Sequence, residues 1–147
     1  MKRTIACVLL LILALSVPAM AAPSQAEQVV SVAMGLVGAP YKLHSNAPKS
    51  FNCVTFVAYC FNEVAPGTIS SDGISVSYKK VSSIRSLKPG DIVGFKSTKR
   101  LRGIMGYHFG IYVGKGYFVH AANKTDGVIV SQLKDYKKRF AGAVRIL

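Results

Sequence analysis

The chain has 147 residues, 50% of them hydrophobic, with 19 basic against 6 acidic side chains and a formal net charge of +13. That length holds one domain with a real core and excludes two. The charge draws the protein to polyanions, but its basic clusters, "KSTKRLR" (96–102) and "KDYKKR" (134–139), lack aromatic interleaving or any nucleic-acid motif, so nucleic acid is not an expected partner.

The first element is a targeting segment. Lys2 and Arg3 precede an apolar run from Ile5 to Val17, Pro18 breaks it, and Ala19-Met20-Ala21 supplies a small-x-small cleavage signal. Residues 1–21 are expected to be a signal peptide and residues 22–147 a single domain. A membrane anchor is the competing reading, but the run is shorter than the roughly 20 residues a spanning helix needs. Cys7 lies near the start of the run instead of just after it, which argues against a lipoprotein anchor. The mature protein is therefore expected to be periplasmic or secreted, a monomer, with no stable membrane anchor.

The mature chain opens with "SQAEQVVSVAMGLVGAPY". Ser24 and Glu27 are spaced as a capping box, Val29, Val30, Ala33, Met34, Leu36 and Val37 follow at helical intervals, and Gly38 and Pro40 stop the helix. An irregular stretch from Tyr41 to Ser50 leads to a second helix over Cys53 to Glu63, with Asn52 as its N-cap. Cys53 and Cys60 are the two cysteines left after cleavage. On one helix, seven residues at ~1.5 Å rise put their Cα atoms ~10 Å apart, beyond the roughly 7 Å a disulfide tolerates. A free thiol in an exported protein points to reactivity. Taken alone, Cys53 reads more readily as a packed core residue than as a reactive one. At the first helical turn, however, the dipole and unpaired N–H groups are expected to favour its thiolate.

After a Gly/Ser-rich stretch the period changes. "DIVGF" (91–95), "HFGIYVG" (108–114), "GYFVHAA" (116–122), "GVIVS" (127–131) and "AVRIL" (143–147) read as strands bounded by turns. Helices first and strands second give an α+β order with an antiparallel sheet.

His108 and His120 fall on neighbouring strands joined by "GKG" (114–116). A two-residue loop would pair 113 with 116 and set the histidines on opposite faces. A three-residue loop would pair 113 with 117 and 110 with 120, leaving them diagonal neighbours within about 7–8 Å on one face. Gly116 as the last loop residue favours the second register. Each histidine alone is a common strand residue. With Cys53 they make a nucleophile, a base and an orienting group.

These residues resemble the NlpC-type cell-wall cysteine peptidases, a papain-like family. Its pattern Pro-Tyr-x-x-Gly-Gly-x-x-Pro-x-x-Phe-Asp-Cys-Ser-Gly-Phe-Val aligns without gaps on "PYKLHSNAPKSFNCVTFV" (40–57). Its later Leu-x-Pro-Gly-Asp-Leu-Val, His-Val-Gly-Ile-Tyr-x-Gly and His-Ala motifs match "LKPGDIV" from Leu87, "HFGIYVG" from His108 and "VHA" from Val119. The resemblance implies a papain-like α+β core, with N-terminal helices, one bearing the catalytic cysteine, packed on a four- to six-stranded antiparallel sheet. It implies Cys53 as nucleophile, His108 as base, His120 holding the ring of His108, and Tyr41 lining the substrate cleft. No metal or cofactor is implied. The implied chemistry is hydrolysis of an amide in a peptidoglycan peptide stem through a thioester.

Three departures stand out. The family Asp before the cysteine is Asn52, the following Ser-Gly is Val54-Thr55, and the Gly-Gly pair is His44-Ser45. In several family members the Asp and Ser help bind a free amine, so Asn52, Val54 and Thr55 are the expected substrate-binding positions where specificity is set. His44 reads as a specificity or surface residue. The basic 96–102 segment would favour an acidic substrate if it overhangs the cleft. Peptidoglycan or muropeptides are the expected partners, with anionic envelope polymers besides. The competing readings are an N-acetylmuramoyl-L-alanine amidase and a non-catalytic basic wall-binding protein.

Overall fold

The computed structural model describes residues 21–70, 72–101 and 104–147. Residues 1–20 of the expected signal peptide lie outside the described residues. No helix among the described residues is long and apolar enough to cross a membrane.

Two helices come first. Helix α1 (Gln25–Gly35) starts at Ser24, whose hydroxyl accepts from the Glu27 N–H while the Glu27 carboxylate accepts from the Ser24 N–H. Helix α2 (Cys53–Val64) starts at Asn52 with the same reciprocal arrangement, Thr55 replying to the cap. Both starts are where the sequence puts them, because a cap is a contact between residues three apart and needs nothing distant.

Two-residue strands β1 (Ile69–Ser70) and β2 (Gly73–Ile74) pair with each other. The main sheet holds β3 (Lys79–Val81), β4 (Ile92–Leu101), β5 (Ile104–Gly114), β6 (Tyr117–Asn123), β7 (Gly127–Gln132) and, after the short helix α3 (Leu133–Tyr136), β8 (Phe140–Arg145). Its order is β3-β8-β4-β5-β6-β7, antiparallel throughout. The α+β class and the antiparallel sheet agree with the sequence reading.

The sheet has a core on each face, because successive strand residues point opposite ways. On the helix side Ile111, Val119 and Val128 pack under Phe56, Cys60 and Phe61 of α2 and Val29 of α1. On the far side Val93, Phe95 and Phe118 pack with Leu133. Each fully buried phenylalanine contributes about 1.5–3 kcal/mol. Asp91, 1% exposed, receives both the Nε and Nη2 of Arg145 at 2.7 Å and the Lys88 N–H at 2.8 Å. That pair, buried at its carboxylate and partly exposed at its guanidinium, ties the start of β4 to the end of β8.

Two parts of the sheet escape the sequence reading. β4 and β5 run on past Phe95 and before His108 into a longer hairpin, whose polar, basic outer part (Lys96 to Leu101) has no apolar alternation to announce it. The side chains of residues 98–105 lie outside the described ones, so the overhang expected of 96–102 does too. β3, three residues long with one buried side chain, is too short to carry a period.

Candidate active site

Cys53 is the first residue of α2 and half-buried. The Asn52 Oδ1 accepts from the N–H groups of Val54 (3.0 Å) and Thr55 (2.9 Å), and its Nδ2 donates to the Leu43 carbonyl at 2.9 Å. Thr55 Oγ1 accepts from the Asn52 N–H at 3.0 Å and lies 2.7 Å from Ser45 Oγ. The loop before the helix is thereby fastened to the cap. A parallel bridge between Tyr41 and Phe51 closes that loop, with Lys42 N–H to Phe51 O at 2.9 Å and Phe51 N–H to Pro40 O at 3.0 Å. Tyr41 lies within electrostatic reach of Cys53, and burial together with the thiolate charge raises its phenol pKa. Val54 is 55% exposed beside the thiol, and His44 is exposed on the loop.

The helix start was expected to lower the thiol pKa. It is raised instead: burial outweighs the peptide N–H groups of Phe109, Val54 and Cys53 itself, which all pull it down. The Phe109 N–H reaches the sulfur from the sheet. The sulfur lies against β5, one residue from His108.

The histidines meet. Ile111 pairs with Val119 and Tyr112 with Phe118, the register that sets 110 beside 120, as the three-residue reading required. The loop itself differs: a bulge lets Gly114 pair with Tyr117, and Lys115 (φ +51°) and Gly116 (φ +80°) form the turn. Two left-handed residues give the twist a tight hairpin needs. The extra bulge residue restores the phase that a plain two-residue loop would have lost.

His108 Nε2 lies 2.5 Å from His120 Nδ1, and His120 Nε2 lies 2.9 Å from Ser131 Oγ. His120 is 1% exposed, with Phe118 tilted against one side of its ring and Tyr136 edge-on. Gly110 makes room for it. A Cβ there would come within 2.7 Å of the Phe118 ring and of the Val119 carbonyl, and 3.1 Å from the His120 Cβ. Burial, then the Arg139 charge, hold His108 down at about 4. Burial, His108 and Arg139 hold His120 at about 3. Both rings are therefore neutral at physiological pH.

Ser131 and Arg139 were not singled out from the sequence. Ser131 had a signal: β6 and β7 pair His120 with Ile129, so period two makes Ser131 the diagonal neighbour of His120. Arg139 comes from the connection after α3 and stacks over Tyr136, a placement no local pattern encodes. Among the described residues no cluster of His, Cys, Asp and Glu is arranged to hold a metal.

Comparison with known proteins places most of the chain in one family. The NlpC/P60 family profile matches residues 38–145. The chain belongs to the NlpC/P60 family. It is 37% identical over 122 residues to LytE of Bacillus subtilis, named a probable peptidoglycan endopeptidase, across 81% of this chain and 34% of that protein. It is 34% identical over 113 residues to the Escherichia coli murein DD-endopeptidase MepS/murein LD-carboxypeptidase, across 75% of this chain and 57% of that one. The chain thus spans about a third of LytE and just over half of MepS. The NlpC/p60 domain of the peptidoglycan hydrolase SagA matches with a TM-score of 0.65 at 23% identity, over 82% of this chain and 98% of that chain. RipD of Mycobacterium tuberculosis, described as a non-catalytic NlpC/p60 domain protein adapted to peptidoglycan binding, matches with 0.64 at 17% identity, over 86% and 100%. These structures establish the NlpC/P60 papain-like fold.

Proposed function

We propose that this NlpC/P60 protein is an exported cysteine hydrolase that cuts an amide bond in the peptide stem of bacterial peptidoglycan. The observation that carries this reading is the His108–His120 contact beside the strand that touches Cys53. His108 uses Nε2 on His120, so Nδ1 is the ring nitrogen it has left to take a thiol proton. Cys53 is the nucleophile, His108 the base, and His120 holds the His108 ring.

The proton steps follow from the two pKa directions. A raised thiol and a lowered imidazole rest as a neutral pair. Attack on the substrate carbonyl then moves the thiol proton to Nδ1 of His108, and the imidazolium returns it to the leaving amine. The Asn52 cap occupies the N–H groups of Val54 and Thr55. The Cys53 N–H is left for the oxyanion of the tetrahedral intermediate. Water releases the acyl group from the thioester. Tyr41 and the exposed Val54 line the cleft, with Asn52 and Thr55 shaping it through the helix start.

The relatives named as peptidoglycan endopeptidases support the substrate class, and the net charge of +13 suits an anionic envelope. Residues 1–21 as a signal peptide and 22–147 as one domain belong to the same proposal, as does a monomeric state. The test is incubation of the purified protein and its Cys53→Ala variant with defined muropeptides, the products being identified by mass spectrometry. Wild-type products alone bear the reading out, and their masses distinguish a stem cut from an N-acetylmuramoyl-L-alanine amidase. Binding without cleavage, unchanged in Cys53→Ala, would make the protein a wall-binding module.

A further inference from the structure

We infer that Ser131 is a positioning residue that accepts the Nε2 proton of His120 and so fixes the tautomers of both histidines. This rests on the reading of Cys53 as nucleophile and His108 as base. The relay crosses three strands by successive diagonals: His108 on β5, His120 on β6, Ser131 on β7. A neutral imidazole carries one ring proton and has one acceptor nitrogen. His120 is touched at both nitrogens, by His108 at Nδ1 and by Ser131 at Nε2. One partner must donate to it and the other must accept from it.

Only two arrangements satisfy that count. If Ser131 donates its hydroxyl proton to Nε2, the proton of His120 sits on Nδ1 and points at Nε2 of His108. His108 then carries its own proton on Nδ1, where the base must be bare. If Ser131 accepts, His120 holds its proton on Nε2 and its Nδ1 accepts from Nε2–H of His108. Nδ1 of His108 is then free to take the Cys53 proton, and the charge that forms is spread along two hydrogen bonds already made. With His120 1% exposed, solvent has no access to replace the serine. Ser131 itself is half-buried on the last strand of the sheet, and its hydroxyl proton can turn to solvent.

Nitrogen-15 histidine spectra of the full chain at neutral pH test the assignment without any substrate. Protons on Nε2 of both His108 and His120 are expected, and a proton on Nδ1 of His120 overturns the inference. Ser131→Ala should mix the His120 tautomers and lower kcat roughly 10- to 100-fold with KM unchanged. Ser131→Thr, which keeps the hydroxyl, should restore both. Ser131→Ala with wild-type tautomers and wild-type kcat also overturns it. The expected tautomers in a wild-type protein that cleaves no muropeptide would support the relay while sinking the hydrolase reading.

Discussion

Cys53 and Cys60 lie on the same helix and on the same side of it. Seven residues are two turns less about 20°, so both thiols belong to the stripe that continues through Phe56, Val57 and Phe61. Yet Cys60 is fully buried between α1 and the sheet, and burial pushes its thiol to about 12. Cys53 is only half-buried, and peptide N–H groups from its own turn and from β5 work against the same burial. What separates them is position along the axis. The last residue of the apolar stripe to reach the helix start is also the first to meet unpaired N–H groups and the edge of the core.

The largest expected effect comes from removing each sulfur in turn. Cys53→Ala should reduce hydrolysis by at least about 1,000-fold. Cys60→Ala should keep kcat within a factor of about two while costing about 1–2 kcal/mol of stability, read by denaturant unfolding, since it empties a closed site. A Cys60 variant with the greater kinetic defect would reverse the comparison.

Thiol labelling sharpens it. Native Cys53 should alkylate at least about 100-fold faster than Cys60, and the two should converge in denaturant. The pH profile carries more information. The thiolate–imidazolium form of a Cys53–His108 pair has the same proton count as the neutral form. Its share is therefore constant from about pH 4, where His108 titrates, up to the ionisation of the thiol itself. Labelling of Cys53 should show a plateau from about pH 4 until bare thiolate outnumbers the ion pair. For a pair resting neutral that point comes below the thiol pKa, and only above it should the rate rise tenfold per unit. A rate that rises tenfold per pH unit throughout would mean that His108 does not take its proton.

Gly110→Val removes the relay and leaves both cysteines in place. Its side chain would drive into the Phe118 ring and the His120 Cβ. We expect a roughly 10- to 100-fold loss of kcat, loss of the labelling plateau, and a stability cost of about 1–3 kcal/mol from overpacking. Cys60 labelling should stay slow, which tells a displaced histidine from an opened fold.

How far all this is legible in the chain depends on the range of the interaction. Ser24, Glu27, Asn52 and Thr55 make caps between near neighbours, and both helix starts can be read directly. The histidine pair is legible one step further out, because a short loop and period two connect 108 to 120; the bulge at Gly114 changes the turn and preserves the phase. Burial is not legible in this way. The thiol of Cys53 is raised by its burial in the folded protein, and the dipole argument, which sees only its own helix, gets the net sign wrong. The outer part of β4 and β5 is illegible for a different reason: the polar, basic sequence of β4 there carries no apolar alternation.

The smallest effects belong to Asn52, and they separate its two roles. Its Oδ1 caps α2 while its Nδ2 holds the Leu43 carbonyl, so both ends of the carboxamide are engaged by the fold. Asn52→Ala should cost about 1 kcal/mol through the lost cap, seen as a lower midpoint in thermal or denaturant melts. Asn52→Asp keeps the acceptor that the helix needs and gives up only the donor to Leu43, so its cost should be smaller. It also brings a negative charge to the turn that carries Cys53. That charge disfavours the thiolate, so the alkaline limb of Cys53 labelling should move to higher pH while Cys60, two turns away, is unmoved. The same carboxylate is the one the resemblance associates with binding a free amine. Muropeptides with and without a free amino terminus, compared by kcat/KM, should shift toward the former in Asn52→Asp. An unchanged ratio alongside a shifted labelling limb would mean that the charge reaches the sulfur but not the substrate, and that specificity is set by Val54 and Tyr41 instead.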